Sequence, residues 1–196
     1  MRIERATKED APRIAEVVIM AVGDEIARNF AGERHTAEDV HRTFTNLCRR
    51  DDSQYSYRNT IKAVTDDGRT AGYLVAYDGG DLHRLREAFI EEASKELGHT
   101  FEGELPDETI PGEYYMDSLA VFPEFRGQGI AQKLIASAVE EGRSKGLIPG
   151  MLADSDNPRA LGLYLSMGFE KVGDTLFAGV MMNHLQLPAG KSLHKC

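Results

Sequence analysis

The chain has 196 residues, 41% of them hydrophobic and 28% charged, and a net charge of −9, the make-up of one folded domain large enough to bury a full core. No apolar run approaches the roughly 20 residues of a membrane span, and an acidic chain lacks the basic face that nucleic-acid phosphates demand, so neither a membrane nor a nucleic acid is an expected partner. Two cysteines, Cys48 and Cys196, and a start (Met1-Arg2-Ile3-Glu4) without an apolar leader predict a cytoplasmic setting with no disulfide framework, and no Cys/His grouping has the spacing of a metal site.

In chain order, Arg2 to Ala6 reads as a short first strand. Thr7 or Asp10 then caps a helix running to about Arg28, with Ile14, Val17, Val18 and Ala21 on its inner face. A second helix spans about Thr36 to Arg49, with Thr36 as cap and Val40, Phe44 and Leu47 as its apolar stripe. Ile61 to Thr65 and Thr70 to Tyr77 are two strands joined by the turn Asp66-Asp67-Gly68-Arg69. The segment 81–112 predicts a helix capped by Asp81 and stopped by Gly98, with Leu82, Leu85, Phe89, Ala93 and Leu97 on one face, and then an acidic loop holding Pro106 and Pro111. From Asp81 to Glu113, ten acidic residues oppose three basic ones, so most of the chain's negative charge lies here. A solvated helix face and loop account for this, and so does a field that draws in a cationic substrate. A helix this amphipathic must pack, whether on the domain, along a binding cleft or in a dimer interface.

An apolar strand from Tyr114 to Val121 comes next, then a turn at Pro123, then Arg126-Gly127-Gln128-Gly129-Ile130-Ala131 and a helix to about Lys145. A strand, a glycine-rich turn and a helix start aim several unpaired backbone N–H groups at one point, and the helix dipole makes that point attractive to anions. A triphosphate loop would need Lys and then Ser or Thr after its last glycine, where Ile130 and Ala131 stand. A dinucleotide fold would need a third glycine where Gln132 stands. Leu147 to Ala153 reads as the next strand. A helix over 158–167 follows, capped by Asp156 or Asn157, with Pro158 in its first turn and Gly168 as its stop. Phe169 to Val172 and Phe177 to Asn183 are expected as the last two strands, and 190–196 as a flexible tail.

Leu119, Val121 and Pro123 followed by Arg126 to Ala131 resemble the core motif of the GCN5-related N-acetyltransferase (GNAT) family. That motif is R/Q-x-x-G-x-G/A after a strand end of the form L-x-V-x-P. Asn157, Ala160, Leu163, Tyr164, Gly168 and Phe169 resemble the family's downstream motif, about 26 residues beyond the first. The resemblance implies one α/β (α+β) domain over 1–189, a mixed sheet of about six or seven strands flanked by helices. The acidic helix of 81–112 is an insertion before the motif strand. It further implies acetyl-coenzyme A as co-substrate, no metal, and a small-molecule or peptide amine as acceptor. Homodimers are frequent in the family.

The resemblance also implies roles for particular residues. The amides of Gly127, Gln128, Gly129, Ile130 and Ala131 would hold the coenzyme's pyrophosphate, with Gly127 and Gly129 letting the backbone approach closely. Arg126 either adds charge there or staples the turn. Leu119, Ala120 and Val121 would pair with the pantetheine arm as a neighbouring strand does, and a donor of that strand would stabilise the oxyanion. Asn157 would hydrogen-bond the pantetheine, cap its helix, or both. An amine with a pKa near 10 is neutral in only about one molecule in a thousand at pH 7, so a general base is useful. Asp117 is the first candidate for that base, a polar network residue being its plain alternative, and Glu113 and Tyr115 are weaker ones. Tyr164 would protonate the departing sulfur; otherwise it is a core aromatic. Cys48 lies in a helix pattern with no histidine near it in sequence, which disfavours a covalent route. An acetyltransferase acting by direct attack in a ternary complex is the expected function. A non-catalytic acyl-coenzyme A sensor or partner-docking module on the same fold is the alternative.

Overall fold

A computed structural model describes residues 1–23, 28–29, 31–101 and 105–194. Its frame is a seven-stranded sheet of β1 (Arg2–Arg5), β2 (Thr60–Val64), β3 (Thr70–Asp78), β4 (Glu113–Val121), β5 (Ile148–Asp154), β6 (Glu170–Phe177) and β7 (Val180–Gln186). The order across the sheet is β1-β2-β3-β4-β5-β7-β6. Every pair is antiparallel except β4 with β5, which run parallel. The helices described in full are α1 (Ala11–Val22), α2 (Ala37–Arg49), α3 (Leu82–Leu97), α4 (Ile130–Ser144) and α5 (Pro158–Ser166).

Helix α1 packs on α2 and on β4, and α4 crosses the first five strands. Ile14, Val17 and Val18 are buried on α1 as their spacing dictates, but Ala21 is exposed, one residue before the helix ends at Val22 with Gly23 (φ 85°) as its cap. The expected continuation to about Arg28 falls largely on 24–27, outside the described residues. Helix α2 begins in a capping box, in which the Thr36 hydroxyl accepts from the Asp39 amide at 3.2 Å while Asp39 accepts from the Thr36 amide at 2.9 Å. These bonds hold the Asp39 carboxyl down at about 2.

Helix α3 covers the domain. Leu82 and Leu85 form a cluster with Tyr77 and Tyr115, while Phe89, Ala93 and Leu97 join the main core beside α2. Gly98, in the left-handed region at φ 60°, stops it. Two features place α4 tightly on β4. A Cβ on Gly142 would lie 2.6 Å from Tyr114 Cβ, so only glycine lets the helix approach this far. Tyr114 itself is almost fully buried.

The last hairpin differs from expectation. The expected strands Phe169 to Val172 and Phe177 to Asn183 leave 173–176 between them, but these residues lie within β6, where the register shifts between Lys171 and Gly173. The reversal is instead at Ala178 (φ 48°) and Gly179 (φ 84°), two left-handed residues in the pattern of a type I′ turn. An alanine there is poorly signposted, because L-residues rarely adopt that conformation. Within the described part of 190–196, the His194 amide donates to Met167 O at 3.1 Å and Lys191 pairs with Glu170 at 2.8 Å. Residues 195–196 lie outside the described set.

Candidate active site

The parallel pairing of β4 with β5 is short. It joins Glu113 to Ile148, Tyr114 to Pro149 and Tyr115 to Gly150, and goes no further. Beyond Tyr115 the two strands part, β5 staying with β7 and β4 with β3. The far half of β4 therefore presents backbone amides and carbonyls to a cleft rather than to a neighbouring strand.

One end of the cleft is the glycine turn. Gly127 (φ 77°) and Gly129 (φ 71°) both sit in the left-handed region that favours glycine, and Gly129 is the N-cap of α4 with no side chain to cap it. The Lys133 amide is the first of the helix to reach a carbonyl, Gly129 O at 3.2 Å. The amides of Ile130, Ala131 and Gln132 thus lack helical partners and, with the dipole behind them, make an anion seat. Arg126 staples the turn: its Nε donates to Val121 O at 3.0 Å, and its own amide donates to Pro123 O at 3.3 Å. A cavity of about 650 Å³ opens here, and ten of the twelve singled-out residues line it. They are Leu119, Ala120, Val121, Arg126, Gly127, Gly129, Ile130, Ala131, Asn157 and Tyr164. Gln128 points elsewhere and is exposed. Free amides, left-handed glycines and an unpaired strand edge are the donor set that a diphosphate joined to an amide-bearing arm requires, so the residues present fit the coenzyme.

An adjoining cavity of about 460 Å³ holds Asp117. Leu119, Asn157, Ala160 and Tyr164 line both cavities, so the two adjoin at the Tyr164 ring. Tyr164 comes from α5, whose N-cap is Asn157, its Oδ1 accepting from the Ala160 amide at 3.1 Å. That leaves the Asn157 amide nitrogen for the cleft. Burial raises the Tyr164 hydroxyl above its ordinary pKa, keeping its proton on.

Asp117 is placed by a bulge. Ala76 pairs with Met116 and Val75 with Ser118, so Asp117 is the extra residue between them. Its Oδ2 accepts from Tyr77 OH at 3.0 Å and from Gln54 Nε2 at 3.3 Å, and its Oδ1 from Ser118 Oγ at 2.7 Å. A second carboxylate shares these donors. Glu108 Oε1 accepts from Gln54 Nε2 at 3.2 Å and from Tyr77 OH at 3.5 Å. Arg86 Nη2 lies 3.6 Å from the same oxygen. Burial raises both carboxyls, and for Glu108 the nearby Asp117 charge raises it further, so the pair retains a proton well above the ordinary carboxylate range.

Gln54, Tyr77, Arg86 and Glu108 were not singled out in the sequence. Only Arg86 carried a local sign. It falls four residues after Leu82 and three before Phe89, on the apolar face of α3, and a charge on such a face demands a partner. Glu108 was one of ten acids in its segment, with nothing to distinguish it. Of the weaker base candidates, Tyr115 lines the same cavity as Asp117 and Glu113 does not. Glu113 is locked at the other end of β4 by His184 Nε2 at 2.7 Å, Gln186 Nε2 at 3.0 Å and Thr109 Oγ1 at 2.5 Å. Tyr115 is buried against Tyr77, centroids 5.7 Å apart, and burial raises its hydroxyl. Cys48 is buried in α2, where desolvation pushes its thiol up and keeps it inert. Among the described residues no group of three or more His, Cys, Asp or Glu could hold a metal ion, and no helix is long and apolar enough to cross a membrane.

Comparison with known proteins agrees with this geometry. Residues 20–169 match the model of the acetyltransferase (GNAT) family. The acetyltransferase Atu2258 of Agrobacterium fabrum is 45% identical over 100 residues, 51% of this chain and 72% of the relative. A crystal structure described only as an acetyltransferase shares 28% identity and a TM-score of 0.74, covering 99% of this chain and all of the other. An N-acetyltransferase from Staphylococcus aureus Mu50, at 24% identity and a TM-score of 0.75 over 95% of this chain and all of the other, shares the fold.

Proposed function

The chain belongs to the acetyltransferase (GNAT) family, and we propose that it moves an acetyl group from acetyl-coenzyme A to a primary amine by direct attack in a ternary complex. The observation that carries this reading is that Tyr164 borders both cavities, with an anion seat in one and a proton-accepting carboxylate pair in the other.

The coenzyme, when bound, supplies an acyl carbon activated as a thioester. The amides of Gly127 to Ala131 hold its diphosphate, and Leu119 to Val121 offer the parted edge of β4 to its amide-bearing arm, helped by the Asn157 amide. Arg126 acts through the turn it staples. Asp117 takes the proton that the attacking amine must lose. Glu108 shares its donors and keeps the pair's affinity for that proton close to working pH, where a base is most effective. The Tyr164 hydroxyl gives a proton to the departing sulfur and is reprotonated from solvent. The transfer thus breaks one C–S bond, makes one C–N bond and leaves no acyl group on the protein.

A thiol-release assay tests the reading. Acetyl-coenzyme A should raise the melting temperature, and free thiol should appear only when an amine is added. Stabilisation by the coenzyme with no thiol from any amine would leave the non-catalytic sensor as the better description.

A further inference from the structure

Beside the Asp117 cavity lies a third chamber of about 250 Å³, which shares Val22, Asn29, Glu108 and Phe177 with it as walls. Among the described residues its walls include Phe44, Tyr55, Phe89, Phe101, Leu105 and Phe177. Four of these rings support one another, with centroids 5.4 Å apart for Phe44 and Tyr55, 6.1 Å for Tyr55 and Phe89, and 5.6 Å for Phe89 and Phe101. Phe89 comes from α3, Phe101 and Leu105 from the loop after it, so these two segments build much of this chamber.

Among the described walls its polar side chains are Asn29, Gln54, Arg86, His99 and Glu108. Arg86 is spent on its own loop, donating to Leu105 O at 3.1 Å, Pro106 O at 3.0 Å and Asp107 Oδ1 at 3.2 Å. Glu108 is the one acidic residue among the described walls. Gln54, only 2% exposed, uses its Nε2 on Glu108 and Asp117, and its Oε1 is buried with no donor. A buried acceptor left unpaired is unfavourable, and an N–H brought by a ligand would remove the penalty.

We infer that this chamber receives the apolar body of the acceptor, making the substrate a small primary monoamine that bears one aromatic ring or branched aliphatic group, its N–H donating to Gln54 Oε1. The inference rests on the acetyl-transfer reading and specifies its acceptor. The chamber falls just below the roughly 300–1,000 Å³ of ordinary small-molecule sites, which suits one ring and not an oligosaccharide. Among the described walls, a second ammonium on the acceptor would meet aromatic rings and no acid beyond Glu108.

The test is kcat/KM of the full chain at saturating acetyl-coenzyme A for 2-phenylethylamine and 3-methylbutylamine against 1,4-diaminobutane, glucosamine and a short peptide with a free N-terminus. The two apolar monoamines should lead by about 10- to 100-fold. Leu105→Asp, a change at a half-buried loop position, should weaken the monoamines and favour the diamine, with coenzyme affinity unchanged. 2-Phenylethylamine alone should also raise the melting temperature. A preference for the diamine, the amino sugar or the peptide overturns the inference and leaves acetyl transfer standing, as does a Leu105→Asp effect equal on every amine. Coenzyme binding with no amine acetylated overturns both.

Discussion

Asp117 owes its place to one irregularity. The bulge that frees it from β3 turns its carboxylate to Tyr77 and Gln54, where Glu108 already competes for the same donors. Two carboxyls sharing two donors in a buried site cannot both ionise easily, so their titration belongs to the pair. Asp117→Asn should therefore lower kcat by about 10²-fold or more and remove the acidic limb of the pH–rate profile, which in the wild type should lie above the ordinary carboxylate range. An unchanged profile would assign the base elsewhere. Tyr164 makes a separate case, since it stands where the two cavities meet. Tyr164→Phe keeps the ring and its contact with Phe169, centroids 6.5 Å apart. Turnover should drop about 10²-fold while coenzyme affinity, followed by titration, stays within about twofold. A parallel loss of affinity would make the hydroxyl a binding group only.

At the scale of elements, the site depends on how far β4 and β5 part and how closely α4 sits on β4. The closeness requires Gly142, because any Cβ there meets the Tyr114 side chain at 2.6 Å, and Tyr114 has little room to yield. Gly142→Ala should lower stability by about 1–3 kcal/mol, read from denaturant unfolding, by pushing the helix that bears the anion seat off its strand. No measurable change would mean that the helix has slack that its packing does not suggest. Helix α3 matters in two ways. Its apolar face closes the core over α2 and the Tyr77–Tyr115 cluster, and Arg86, on that same face, brings a cation beside Glu108. Helix α3 is thus both a cover for the domain and a wall of the chamber beside Asp117.

For the whole molecule, the raised pair links stability to pH. A carboxyl whose folded pKa lies above its unfolded value binds its proton more tightly when folded, so its contribution is complete below the unfolded pKa and fades as pH rises through the folded one. Thermal melts should therefore show stability falling above about pH 4–5 as the unfolded chain, but not the folded one, gives up this proton. Glu108→Gln should flatten that fall, and equal slopes in both proteins would deny the pair its shared proton. Much of this was legible in the residues themselves. Gly127 and Gly129 announce left-handed turns, Thr36 and Asn157 announce helix starts, and the spacing on α3 announces its buried face, because each depends on neighbours within a few positions. The β6–β7 turn was misplaced because Ala178 does what glycine usually does. The sequence by itself determined the helices and most strands, the anion seat at the start of α4, and Asp117 and Tyr164 as candidates. Only the tertiary structure decided that Glu108, Gln54, Tyr77 and Arg86 meet at Asp117 and that an aromatic chamber lies behind them. Those contacts join residues from 22 to 63 positions apart, and no local pattern encodes which distant side chains a folded sheet and a packed helix will bring together.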